Sequence, residues 1–401
     1  MKRRRVKITG IGFVTPAGIG KDAFTAGILS GKSFVDPITK FPPDAGPFVA
    51  AEVSRFNISE FIEDPAAAKL PRHTQFALVA SYLALKDANI DRNRIASFDP
   101  LVSTGTSLMD SEVINKTIEN VALKGPRFGL ARVVFHGPVA SVAAAVADQI
   151  GGGRTISMQS ACCSGIDAIG YASEVVSSGG ADLALCGGAE APIFFHPMLE
   201  LRMAGLSPST SERPDQLCRP FDLWRTTGVI GEGSCMVVIE PESSPRKGYA
   251  FVEGYSFATD PEGAIGPGLK RALELCLGNA QMRADDIDMI SCWGPGHREI
   301  DAMEARVLTS IFGDRISQVP AVSIKGAIGN PFAAAGAIQI GCAALGLKHG
   351  FIPPTVNWKR QDPDCVLGLS ANARFIDFSK VLVTAHGVSG TNSGLILSKC
   401  E

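Results

Sequence analysis

The stretch Gln159-Ser160-Ala161-Cys162-Cys163-Ser164-Gly165-Ile166-Asp167-Ala168-Ile169-Gly170 decides how the chain is read. Small residues crowd two cysteines where a β-like run, Thr155 to Met158, gives way to a helix-like run, Ile166 to Ser178. A helix start presents unpaired N–H groups and the positive end of the helix dipole. That placement lowers a thiol pKa and raises the thiolate fraction. The same N–H groups can hold an oxyanion. The local physics suits an acyl-accepting nucleophile, weighed against the plainer reading of a packed structural thiol.

Working outward, Gly179-Gly180 stops the helix, the strand Asp182 to Cys186 follows, and Gly187-Gly188 reads as a turn. The same plan returns later. Ala321 to Ile324 leads into a helix near Ala333 to Lys348, His349-Gly350 stops it, and the strand Val381 to Thr384 meets a glycine turn at Gly387 to Gly390. Between the two copies, Pro241 to Gly248 is a linker separating the strands Met236 to Ile239 and Tyr249 to Tyr255. Two pseudo-repeated α/β halves follow, residues 1–245 carrying the cysteine and residues 246–401, packed as a five-layered α-β-α-β-α fold.

Composition narrows the function. The 401 residues are 45% hydrophobic and 19% charged, with 43 glycines, which suits tightly packed α/β layers and argues against disorder. A formal net charge of −2 offers no basic field for nucleic acid. The basic start Met1-Lys2-Arg3-Arg4-Arg5 reads as a solvated terminus running straight into the strand Val6 to Gly10, not as a signal peptide. No apolar run is long enough to span a membrane. Ten cysteines without a C-x-x-C pair point to the reducing cytoplasm and away from zinc, so neither metal nor cofactor is expected. Gly10-Ile11-Gly12 lacks the third glycine of a dinucleotide fingerprint, with Thr15 in its place. Gly27-Ile28-Leu29-Ser30-Gly31-Lys32-Ser33 falls one residue short of a P-loop and reads as a helix end.

The cysteine segment resembles the nucleophile motif of the β-ketoacyl-ACP synthases, in which a small residue and alanine precede the cysteine. That resemblance implies Cys162, not Cys163, as the nucleophile. It extends along nearly the whole chain through Val6 to Gly12 with Thr15-Pro16, Asp182 to Glu190, Arg219-Pro220-Phe221-Asp222, Gly231-Glu232-Gly233, Ile352 to Asn357 and Gly390-Thr391-Asn392. It implies a thiolase-like fold, an acyl carrier protein bearing acyl-phosphopantetheine as partner, and a dimer with itself or a related ketosynthase. The apolar edge Thr155 to Met158 would be a poor surface if left bare.

The catalytic blocks depart from the family pattern. Trp293 stands where the resemblance calls for one histidine, and Asn330 where it calls for the second. Pro295 and His297 replace the threonines that bond the pantetheine arm. Lys325, Asp301 and Glu304 are kept, and the resemblance implies a Lys325–Glu304 ion pair. Val388 occupies the place of a gating phenylalanine. His386 is the one histidine placed to enter the pocket from a new direction, while His73, His136, His196 and His349 have no motif context. Three functions fit: an altered acyltransferase of fatty-acid or polyketide assembly working through Cys162, a chain-length-factor-like partner subunit, or a non-catalytic acyl-carrier-binding protein.

Overall fold

Strands and helices repeat one arrangement twice in the computed structural model, which describes residues 3–41, 46–91, 94–108 and 110–400. In the first half, β1 (Val6–Thr15), β2 (Leu101–Gly105), β3 (Arg154–Met158), β4 (Ala184–Glu190) and β5 (Gly233–Pro241) line up in the order β3-β2-β4-β5-β1. In the second, β6 (Ala250–Thr259), β7 (Met289–Ser291), β8 (Ala321–Val322), β9 (Lys380–His386) and β10 (Thr391–Lys399) line up as β8-β7-β9-β10-β6. These are the same order and the same directions. In each half the inner pairs β2–β3 and β2–β4, or β7–β8 and β7–β9, are parallel, and the later strands return antiparallel. The halves meet where β1 and β6 pair antiparallel, over only Val6 to Ile8 and Ala250 to Val252.

Helices fill three layers around these strands. Helix α1 (Arg72–Asp87) covers the outside of the first half, with Phe76, Leu78 and Leu85 packed against Val102 and Val238. On the outside of the second half lie α3 (Pro267–Asn279) and α4 (Arg298–Phe312), where Leu273, Met303 and Leu308 meet Ile396. Between the halves run α2 (Ser164–Ser177) and α5 (Ala333–His349). Helix α5 is buried from Ala333 through Leu347, as an Ala-rich helix apolar on every face must be. Ile166, Ile169, Ile338 and Leu345 join Val237 of one half and Leu397 of the other in one central core. The result is the thiolase-like, five-layered α/β architecture.

The segment Gly187-Gly188 is not a turn. It lies inside β4, and its glycines serve close packing: a Cβ on Gly188 would stand 2.9 Å from Gly165 Cα, and one on Gly165 2.2 Å from Ala333 O. The turn at Gly387 to Gly390 is present, closed by Gly387 N–H to Thr391 O at 2.7 Å. At the basic start, Met1 and Lys2 lie outside the described residues. The arginines are less free than a solvated terminus would leave them: Arg3 pairs with Glu174 at 3.0 Å, Arg4 with Asp182 at 2.7 Å, and Arg5 with Glu253. Among the described residues no helix is long and apolar enough to cross a membrane.

The Gly165 contact carries a test. Gly165→Ala pushes a methyl into backbone and should lose about 1–3 kcal/mol of stability in urea unfolding. Gly278→Ala, on α3 where nothing stands within 4 Å of the new Cβ, should be neutral or gain up to about 1 kcal/mol. Equal effects at the two sites would show that α2 and α5 are not held at contact distance.

Candidate active site

Cys162 sits in the tight turn between β3 and α2. Ala161 before it takes φ 51°, a left-handed conformation that a non-glycine residue adopts only when its surroundings enforce it. The surroundings do so with hydrogen bonds. Ser164 Oγ donates to Ala161 O at 2.5 Å, and Thr391 Oγ1 donates to Ser160 O at 2.9 Å. Asp167, one turn into α2, accepts from Ser160 Oγ, from Ser393 Oγ at 2.5 Å and from Tyr255 OH at 3.0 Å. Burial raises the Asp167 carboxyl pKa, and the three hydroxyl donors pull against it.

The thiol departs from the expectation raised by its position. Burial pushes the Cys162 pKa up to about 12, although the Val388 and Cys162 backbone N–H groups bear on the sulfur and favour the thiolate. Desolvation outweighs the helix end, because the thiol is only 3% exposed. Both amides bear on the sulfur itself, where they favour negative charge. All ten cysteines are buried free thiols, so burial does not single out Cys162; its turn and its cavity do.

That cavity, of ≈ 20 Å³, is lined by Cys162, Trp293, Asn330, His386 and Val388, all singled out in the sequence. It holds about one water. Leu206, Ile300 and Phe332 complete an apolar wall that the motifs did not reveal. Phe332, at φ 42°, is a second strained residue, and it starts α5 on the C-terminal side of the site. Asn330 Oδ1 is buried without a hydrogen-bond partner and forms an open acceptor in the wall.

Lys325, Asp301 and Glu304 stand behind the cavity and hold its far wall. Asp301 and Glu304 are three apart on α4 and share one face. Glu304 accepts from Trp293 N–H at 2.8 Å, Gly294 N–H at 2.8 Å and Thr384 Oγ1 at 2.5 Å. Asp301 accepts from Phe221 N–H at 2.7 Å and Gly296 N–H at 3.1 Å, and burial pushes its pKa up to about 7. The expected Lys325–Glu304 ion pair does not form directly. Lys325 Nζ instead donates to Trp293 O at 2.5 Å and Gln339 Oε1 at 3.3 Å, and lies 3.7 Å from the Trp293 ring centroid. Burial lowers its pKa to about 8 even with Glu304 nearby. Trp293 thus has its N–H on a carboxylate, its carbonyl on an ammonium and its ring under the same ammonium. Gln339 is the unforeseen member, donating through Nε2 to Cys292 O at 2.9 Å. A polar residue inside an otherwise apolar helix was its only signal.

Against known proteins, residues 3–244 match the β-ketoacyl synthase N-terminal domain and residues 248–359 its C-terminal domain. The chain belongs to the β-ketoacyl synthase family. It is 31% identical to the tetracenomycin polyketide synthase ketoacyl synthase alpha subunit of Streptomyces glaucescens, covering 99% of this chain and 97% of that one. It is 29% identical to a 3-oxoacyl-[acyl-carrier-protein] synthase 2 of Staphylococcus aureus, covering 100% and 99%. Among solved structures, the ishigamide ketosynthase/chain length factor superposes with a TM-score of 0.91 at 28% identity, covering 100% of both chains.

Trp293 is 2% exposed and its replacement leaves Lys325 facing a void. Trp293→Ala should cost about 3–5 kcal/mol in denaturant unfolding. A loss under about 1 kcal/mol would mean that the ring is not a packed wall.

Proposed function

We propose that the chain is a β-ketoacyl synthase-like acyltransferase of fatty-acid or polyketide-type assembly. It takes an acyl chain from an acyl carrier protein onto Cys162 and is a poor decarboxylative condensing enzyme on its own. The observation that carries this reading is the cavity that Cys162 shares with Trp293 and Asn330. Condensation needs the malonyl thioester carbonyl polarised while carbon dioxide leaves. An indole N–H donates one hydrogen bond and moves no proton at neutral pH; an amide can donate but does not titrate there. Losing one preorganised donor costs about 3 kcal/mol of barrier, roughly a hundredfold. Losing a general acid–base group costs about another 10²–10⁴-fold. Acyl loading has no carbon dioxide to expel and so does not need the two missing imidazoles; it needs an acceptor for the Cys162 proton, and the backbone amides at Val388 and Cys162 favour the thiolate.

The reading includes a dimer, with a second copy or with a related ketosynthase. Among the described residues strand β3 ends its sheet with one side unpaired, and the short helix Arg132–His136, earlier in the chain, leaves Phe135 and Val134 71% and 72% exposed. We also divide the chain into halves 1–245 and 246–401, in keeping with the repeated strand order. We place it in the cytoplasm, where ten unpaired thiols are stable.

The size of the cavity, ≈ 20 Å³, favours a second reading, a non-condensing partner subunit like the chain-length factors, since no acyl chain fits beside the thiol without rearrangement. Malonyl-carrier decarboxylation and β-ketoacyl-carrier formation, with and without a partner synthase, separate the two. The isolated protein should form little product. Rapid condensation by it, abolished in Cys162→Ala, would overturn the impaired-condensation reading. Activity that needs the partner and survives Cys162→Ala would favour the partner subunit.

A further inference from the structure

His386 ends β9 and Asn392 lies directly opposite it on β10, joined by the tight turn at Gly387 to Gly390. Asn392 Nδ2 donates to Gly390 O at 2.8 Å and to Asp260 Oδ2 at 3.2 Å. A carbonyl and a carboxylate only accept, so these two bonds fix which end of the amide faces them. Asn392 Oδ1 therefore faces the imidazole, 2.7 Å from His386 Nδ1. An amide oxygen at that distance requires Nδ1 to carry a proton. The neutral ring then keeps its free lone pair on Nε2.

The ring is 5% exposed and lines the same cavity as Cys162. Trp293 and Asn330 on that cavity supply no base. His297, also on the wall, accepts Glu299 N–H at Nδ1, at 3.3 Å, so its neutral ring carries the proton on Nε2 and donates. A thiol that burial holds protonated needs an acceptor for its proton before it can attack.

We propose that His386 Nε2 accepts the Cys162 proton during acyl loading, with Asn392 and Asp260 orienting the ring. This rests on the reading that Cys162 is the acyl acceptor. The proton passes from sulfur to Nε2, and the thiolate forms a bond to the carbonyl carbon of the carrier thioester. The carbon–sulfur bond to the carrier arm breaks, and the departing thiolate recovers the proton from Nε2. The charged and titratable groups around the site are Asp260, reaching the ring through Asn392; His297 on the wall; Glu190 and Lys325, which act on the Cys162 sulfur; and Glu304 behind Trp293.

The test is the rate of Cys162 alkylation by iodoacetamide as a function of pH, in the full chain, read by peptide mass mapping. His386→Phe and His386→Gln should each lower the rate at neutral pH about 10-fold or more, and the wild-type inflection should lie below theirs. Variants that fold, as judged by thermal melting, yet match the wild-type rate and profile would overturn the proposal. If neither variant folds, the wild-type profile decides: a rate that climbs only in alkali, as for an unassisted thiol, overturns it. Loading from an acyl carrier, followed in parallel, separates the two readings. No loading with intact His386 dependence sinks the acyltransferase reading and supports the base; loading without His386 dependence sinks the base alone.

Discussion

Gly165 of α2, Gly188 of β4 and Ala333 of α5 meet at a point where no further side-chain atom fits: a Cβ on Gly165 would sit 2.2 Å from Ala333 O. That approach brings the start of α2, with Cys162 just before it, against the start of α5, with Asn330 and Phe332 just before it. Each helix comes from a different half of the chain. The cavity is therefore built where the two repeats touch, with Cys162 and Leu206 from the first and most of its remaining wall from the second. A methyl at Gly165 would press on the Ala333 carbonyl and push the two helix starts apart, and with them the residues that line the cavity.

The second half supplies a wall held by its backbone. Trp293 is fixed through its N–H, its carbonyl and its ring, and the groups that fix it are Glu304 and Lys325, while Asp301 holds the next turn of the loop at Gly296. Their retention beside a lost histidine is then explained without catalysis: an unpaired buried amide or carboxylate is costly, so the loop they hold cannot lose them independently. The same scaffold presents an indole at the position where the family resemblance calls for an imidazole. What is left for chemistry is a thiol, two amides, an asparagine and a histidine arriving on the opposite hairpin.

Much of this was legible in the residues, and the misses have physical causes. The central helices were visible because Ala333 to Leu347 has no polar face apart from Gln339, and the repeat of strand, helix and strand gave two halves. Gly187-Gly188 was misread because glycine marks both a turn and a close approach, and only the three-dimensional neighbour distinguishes them. The thiol pKa went the wrong way because the helix end is visible in sequence while desolvation is not. The Lys325–Glu304 ion pair failed for a related reason: the backbone carbonyl of Trp293 takes the ammonium and its backbone amide takes the carboxylate, contacts that no side-chain pattern reveals. His386 was noticed, but its partner was not, because the tautomer depends on which way Asn392 is held.

The central claim is that Cys162 still accepts an acyl group. Intact-protein mass spectrometry after incubation with a panel of acyl carriers tests it most directly. The account predicts a single acyl-sized mass increase that maps to the Cys162 peptide and is absent from Cys162→Ala. No adduct from any carrier, or an adduct that maps to Cys163 or Cys218 instead, would contradict it.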